Sequence, residues 1–191
     1  MKTSIKVLIV VGIILLLLVV SVVGSYNGLV EKREVVDIAL SQIDNQLQRR
    51  NDLIPNLVET VKRYASHEEE IFTDIAEARA KLAGAGNISE QAEADAALGG
   101  ALSRLIAIAE NYPNLKANQN FIQLQDELAG TENRIATARR DYNESARIYN
   151  TKIRKFPTVI YAGMFGFEKV DYFEASDEAR QVPNVGGLFG N

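Results

Sequence analysis

The sequence predicts an all-α protein: an N-terminal transmembrane helix followed by an antiparallel (up-down) four-helix bundle with long coiled-coil-like helices. Three observations carry this. Residues 5–23, from Ile5 to Val23, are apolar except for Lys6. Apolar residues then recur at alternating three- and four-residue steps along two long stretches, the period of a helical seam. Pro is sparse and Trp absent, while Ala, Glu, Gln, Leu and Arg are common, a composition that favours helix over sheet.

The totals narrow the function. The chain has 191 residues, room for one anchor and one domain. With no Cys there are no disulfides, no thiol nucleophile and no thiolate metal site. The net charge of −4 comes from interspersed acids and bases, which argues against a nucleic-acid partner.

The anchor comes first. About 18 apolar residues suffice to cross a hydrocarbon core about 30 Å thick. Lys2 and Lys6 flank its start, and Tyr26 stands where an interfacial aromatic belongs. A cleaved signal peptide is the competing reading, but the run exceeds the roughly 7–15 residues of a signal core. Orientation is weakly marked: Lys2 and Lys6 precede the span, Lys32 and Arg33 follow it. The balance leans to the N-terminus inside and the domain outside the cytoplasm.

Residues 24–28 contain Gly24 and Gly28 and read as a hinge. The first seam follows: Val36, Leu40, Ile43, Leu47, Arg50, Ile54, Leu57, Val61, Tyr64, Glu68, Ile71, Ile75, Ala78 and Leu82. Only Arg50 and Glu68 interrupt its apolar character. Pro55 lies inside it and predicts a kink or break. Beyond Pro55 the stripe widens through Val58, Ala65 and Phe72, so residues past 55 are expected in a bundle core. Residues 29–54 are expected in a stalk with fewer neighbours.

Glycines at 84 and 86 end this rod, and Asn87 three residues before Glu90 starts the next. The second seam is Ala94, Leu98, Ala101, Leu105, Ile108 and Tyr112, closed by Pro113. The third runs from about Lys116 to Lys155 through Phe121, Leu124, Leu128, Thr131, Ile135, Ala138, Tyr142, Ser145, Tyr149 and Ile153. At about 1.5 Å per residue it overshoots the second helix. Either a fourth segment covers the overhang, or the second and third helices lie end to end along the first. Residues 158–164 are expected to form a short fourth helix. Gln181 to Asn191, with Pro183 and its glycines, reads as a mobile tail, giving domains at 1–25, 26–174 and 175–191, the last a flexible Gly-rich tail.

Several strings then resemble one family in order along the chain. They begin with Tyr26-Asn27-x-Leu29-Val30 and continue with Asp44-x-Gln46-Leu47-Gln48-Arg49-Arg50-x-Asp52-Leu53-Ile54-Pro55-Asn56-Leu57-Val58. Tyr112-Pro113-x-Leu115-Lys116-Ala117, Asn120-Phe121-x-x-Leu124-Gln125, Thr131-Glu132-x-x-Ile135-Ala136 and Phe156-Pro157 follow. Together they resemble the LemA family from the anchor to about Glu174. The resemblance implies a bacterial protein with one N-terminal membrane helix and a four-helix-bundle domain. It also implies kinship with proteins linked to membrane organisation, magnetosome formation included. The end departs from the family's short Pro-x-Val-x-Phe string, since Pro183-Asn184-Val185 runs into Gly186 and Gly187.

Candidate sites are few. His67-Glu68 is no zinc motif, because the chain holds one His. Glu68, Glu69 and Glu70 read as a solvated face. Arg49, Arg50, Asp52 and Pro55 form the most informative cluster. Arg50 falls on the seam, so its charge needs a partner. It is either an ion pair with an acid such as Glu127 or Glu132, or a contact that specifies register or oligomer state. Asn118, Gln119, Asn120, Gln123 and Gln125 crowd the start of the third helix as a polar network or a ligand site. Phe156, Tyr161, Phe165, Phe167, Tyr172 and Phe173 either cap the bundle or contact a membrane or partner.

The expected function is a non-enzymatic, membrane-anchored scaffold that self-associates at the bacterial cell envelope, with no cofactor. Its expected partners are membrane lipid through residues 5–23 and further copies of itself, with other membrane proteins possible. The alternatives are an adaptor or envelope-stress factor docking another membrane protein, and a hydrolase dependent on His67.

Overall fold

The computed structural model describes residues 2–174, so the expected tail lies outside the described residues. Among these residues every regular element is helical. Helix α1 spans Lys2–Lys62 and α2 Glu69–Gly84. Helix α3 spans Ile88–Ala109, α4 Pro113–Lys116 and α5 Gln119–Arg154. Two single 3₁₀ turns, Thr158–Ile160 and Gly163–Phe165, follow where one short helix was expected.

α1 begins with the apolar run. None of its most apolar stretch is buried within the protein, and by length and composition it can cross a membrane. The expected hinge at 24–28 does not form: α1 continues through Gly24 and Gly28. A glycine inside a helix costs about 1 kcal/mol relative to Ala. The buried side chains that follow at once, Leu29 and Val36, offset that cost. The expected break at Pro55 is also absent. α1 runs through it and stops at Lys62.

The interruption falls at 63–68, where Tyr64 N–H and Ala65 N–H both bond to the Val61 carbonyl and Glu68 N–H bonds to the Ala65 carbonyl. Tyr64, an expected seam position, is 39% exposed there. The seam stays in phase across this turn, so periodicity alone does not reveal it. The acid run does: Glu69 and Glu70 occupy the first turn of α2, where the helix dipole favours negative charge. What reads as one rod is two helices.

α3 starts as its sequence predicts. Asn87 caps it by accepting from Glu90 N–H at 2.9 Å, and the Glu90 carboxylate accepts from Gly86 N–H at 2.8 Å. α5 starts on Asn118, whose side-chain oxygen accepts from Asn120 N–H and Phe121 N–H.

The described chain groups into two compact units. One takes α1 up to Ile43 together with Ala138–Asp171. Its core is Leu29, Val36 and Ile43 from α1 and Tyr142, Ala146, Tyr149 and Ile153 from α5. The chain after α5 folds back along it. Asn150 accepts from Val170 N–H at 2.9 Å and donates to the Val170 carbonyl at 2.8 Å, and Tyr142 donates to the Asp171 carbonyl. This segment packs along the later part of α5. Gly166, at φ 77°, supplies the left-handed residue after the second 3₁₀ turn.

The other unit holds Asp44–Thr137 and the described residues from Tyr172. Its core joins Ile54, Leu57 and Val61 of α1 to Ile71 and Ile75 of α2, Leu98 and Leu105 of α3, Leu115, and Phe121 and Leu128 of α5. Polar pairs tie its helices together. Arg79 bonds Asn51, Gln91 bonds Asp44, and Asn118 bonds Tyr64.

Candidate functional site

The charged cluster lies in the 44–137 unit. There Arg50 is 4% exposed, among apolar seam neighbours. Its Nη1 lies 2.8 Å from Asp95 Oδ1 on α3 and 2.8 Å from Glu132 Oε2 on α5. Asp95 is 3% exposed. A buried guanidinium needs opposed charge and hydrogen bonds to offset its lost hydration, and this fork supplies both. The helix that carries Asp95 also makes room: a Cβ on Gly99 would stand 3.4 Å from Arg50 Nη2. Glu132 is one of the two acids the sequence offers as a partner. Asp95 was missed because α3's phase relative to α1 cannot be read from one chain's periodicity.

The neighbours of Arg50 differ from it. Arg49 lies on the exposed side, 3.9 Å from Glu127, a separation at which a surface pair contributes little. Asp52 is exposed and accepts from Gln48. Pro55 is half-buried within α1.

The polar residues at the start of α5 split into two roles. Asn118 is a cap that also donates to the Tyr64 hydroxyl at 3.1 Å. Gln119 and Gln123 line an open groove of about 430 Å³ with Arg49, Asp126, Glu127 and Arg134. The groove is wide, shallow and of mixed charge, so it offers no enclosed environment for shifting a catalytic group. His67 lies exposed in the turn between α1 and α2. Among the described residues, no three of His, Asp and Glu are grouped to hold a metal ion.

The aromatic cluster belongs to the unit built from α1 and the later half of α5. Tyr26 stands three residues past Val23 on the same uninterrupted helix. Its ring meets Phe165 edge-on at 5.3 Å and Phe167 at 5.5 Å. Tyr161 is buried and meets Phe165 at 6.1 Å. Phe156 faces solvent, 80% exposed, and so do Val159, Ile160 and Met164. The aromatic stretch therefore has a packed side and an open side. Tyr172 and Phe173 are grouped with the other unit, Phe173 buried and Tyr172 half-buried.

One level further along α1, Arg33 bonds both Asp37 oxygens at 3.1 Å and lies 5.9 Å above the Tyr149 ring. The hydrogen bond to Asp37 holds the Arg33 guanidinium above its ordinary pKa, against an opposing effect of burial. Burial raises the Tyr149 phenol above the usual tyrosine value, and the Arg33 hydrogen bond opposes that rise. These are shifts of a structural pair, set by packing between two helices.

The chain has known relatives. The LemA family model matches residues 39–186. Magnetosome protein MamQ 1 of Paramagnetospirillum magneticum is 31% identical, the match covering 78% of this chain and 64% of the relative. Magnetosome protein MamQ of Magnetospirillum gryphiswaldense is 30% identical with the same coverage. Protein LemA of Metamycoplasma hominis is 27% identical over 83% of this chain and 73% of its own length. This chain thus spans just under two thirds of the magnetosome relatives.

Proposed function

The chain belongs to the LemA family, and from that premise we propose that it is a single-pass, non-enzymatic scaffold of the bacterial cell membrane that self-associates beside its anchor. One observation carries the reading. Just past the apolar span, α1 is apolar on two faces. Leu29, Val36 and Ile43 are buried within the chain, whereas Val30, Val35 and Ile38 are exposed. An anchor confines copies to one plane with their helices roughly aligned, which raises their effective concentration. Exposed apolar side chains at that level have another α1 as their natural cover.

The proposed organisation is an anchor at 1–25, a helical domain at 26–174 and a tail at 175–191. Within the domain, the pairings of α1 with α2, α3 and α5 support an up-down bundle. Arg50 serves register inside each copy, since its two acids come from α3 and α5 of the same chain. Arg49 and Asp52, both on the open side of α1, are left for contacts between copies. None of the named relatives carries an enzyme's name, and the magnetosome proteins among them favour a role in organising membrane.

Light scattering of the full chain in mild detergent tests this. The expected mass is a multiple of 21.1 kDa at micromolar protein, reduced by charged residues at Val35 and Ile38. A single-copy mass over the whole concentration range sinks the proposal.

A further inference from the structure

The open side of the aromatic stretch lies beside the end of the membrane span. From Val23 to Tyr26 the helix rises only about 4.5 Å. The headgroup layer on each face of a bilayer is about 5–7 Å deep. Phe165 and Phe167 touch the Tyr26 ring, so the stretch that carries them meets α1 at headgroup level. Around that contact the side chains are the wrong kind for water. Phe156 is 80% exposed and Met164 82%, and Val159 and Ile160 are each more than half exposed.

The charges nearby have the matching sign. From residue 152 to 169 the chain carries Lys152, Arg154, Lys155 and Lys169 against one acid, Glu168. Lys152, Arg154 and Lys155 are all exposed. On α1 the corresponding level holds Glu31 and Glu34 balanced by Lys32 and Arg33. An apolar turn edged by bases is the pattern by which a peripheral segment enters an anionic interface.

We propose that the segment 156–165 is a second lipid contact, seated in the headgroup layer of an anionic membrane beside the protein's own transmembrane helix. Phe156, Val159, Ile160 and Met164 enter the boundary between headgroups and acyl chains. Lys152, Arg154 and Lys155 meet lipid phosphates. Tyr26 joins the two contacts, so the unit built from α1 and the later part of α5 is held to the bilayer at two points. Asn150, gripping Val170 from both sides, keeps the segment folded against α5.

The inference rests on residues 5–23 being a membrane anchor, and the test separates the two. The chain has no Trp, so single tryptophans report without background. Met164→Trp, Leu17→Trp and Ile38→Trp variants of the full chain are reconstituted in vesicles of phosphatidylcholine and phosphatidylglycerol carrying brominated acyl chains. Leu17 lies within the apolar run. Ile38 is exposed on α1, about 22 Å beyond Val23.

The expected result is strong quenching at 17, clear quenching at 164 and little at 38. Quenching at 164 should fall at least two-fold when phosphatidylglycerol is omitted or when Lys152, Arg154 and Lys155 are changed to Glu. Quenching at 17 but none at 164 overturns the second contact and leaves the anchor standing. A tryptophan at position 164 that is shielded from water but unquenched also overturns it, since protein then covers the face. No quenching at 17 removes the anchor and this inference with it.

Discussion

Arg50 puts a positive charge at a position whose adjacent seam residues, Leu47 and Ile54, are apolar. It is tolerable only because Asp95 and Glu132 converge on it from two other helices. The two acids are unequal: Asp95 is buried, whereas the Glu132 side chain is 57% exposed and finds water when released. Arg50→Met therefore takes the guanidinium away from a buried carboxylate, and a buried pair broken in this way costs about 3–5 kcal/mol. Replacing both, as Arg50→Met with Asp95→Leu, should recover part of that loss, because the buried carboxylate is removed together with its guanidinium. Chemical denaturation of the full chain in mild detergent, followed by helical circular dichroism, reads both. A double variant as unstable as the single one means that the fork does not hold Asp95. The need for a partner is legible at Arg50 in the sequence, because a charge interrupts a regular apolar series. The identity of Asp95 is not, because it depends on how α3 is rotated against α1.

Tyr149 makes a separate case at the same scale. Its phenol is raised above the usual value of about 10, chiefly by burial. The neutral form is thus favoured by the fold. The stability it contributes is complete below about pH 10 and is lost as pH climbs through the raised value. Tyr149→Phe cannot ionise, so the variant should lose less stability than the natural chain between about pH 9 and pH 11. Parallel denaturation curves across that range check it; equal losses would mean that Tyr149 titrates normally.

At the scale of elements, periodicity located the helical rods well and their ends less well. The third seam predicts a helix from about Lys116 to Lys155, and α5 runs Gln119–Arg154. The Asn87 start was legible because a cap is a local interaction written in residues three apart. The first rod divides at 63–68 and not at Pro55, for a physical reason. A proline within a helix removes one hydrogen bond and crowds the preceding turn, but it does so at a finite cost of about 3 kcal/mol. Ile54 and Leu57, both fully buried on either side of Pro55, hold that part of α1 in the core. Burial outweighs the local penalty, and the helix ends about two turns later, where Tyr64 turns outward. If this balance is right, Pro55→Ala restores a bond without losing core contacts. It should stabilise the chain by about 1–3 kcal/mol, seen as a higher melting temperature. A lower one would show that the proline's own shape is needed in α1.

At the scale of the whole molecule, the side of the membrane on which the domain is expected follows from the bases beside the apolar run. The bases around the span are nearly balanced, Lys2 and Lys6 on one side and Lys32 and Arg33 on the other, so the charge rule gives only a slight bias. What breaks the tie is the position of the bases: Lys6 touches the apolar run itself, whereas Lys32 stands nine residues past Val23, and charge acts most strongly close to the span. The expected arrangement has the N-terminus in the cytoplasm and the domain outside. The natural chain has no Cys, so one introduced thiol is the only one present. Glu144→Cys lies on the exposed face of α5, in a surface pair with Arg147, and its loss disturbs no core. Ser4→Cys lies at the other end of the span. On intact cells a membrane-impermeant maleimide should label position 144 and spare position 4, and permeabilisation should expose both. The reverse pattern would put the domain in the cytoplasm, and the second lipid contact would then act on the cytoplasmic leaflet, whose anionic lipids suit its bases equally well.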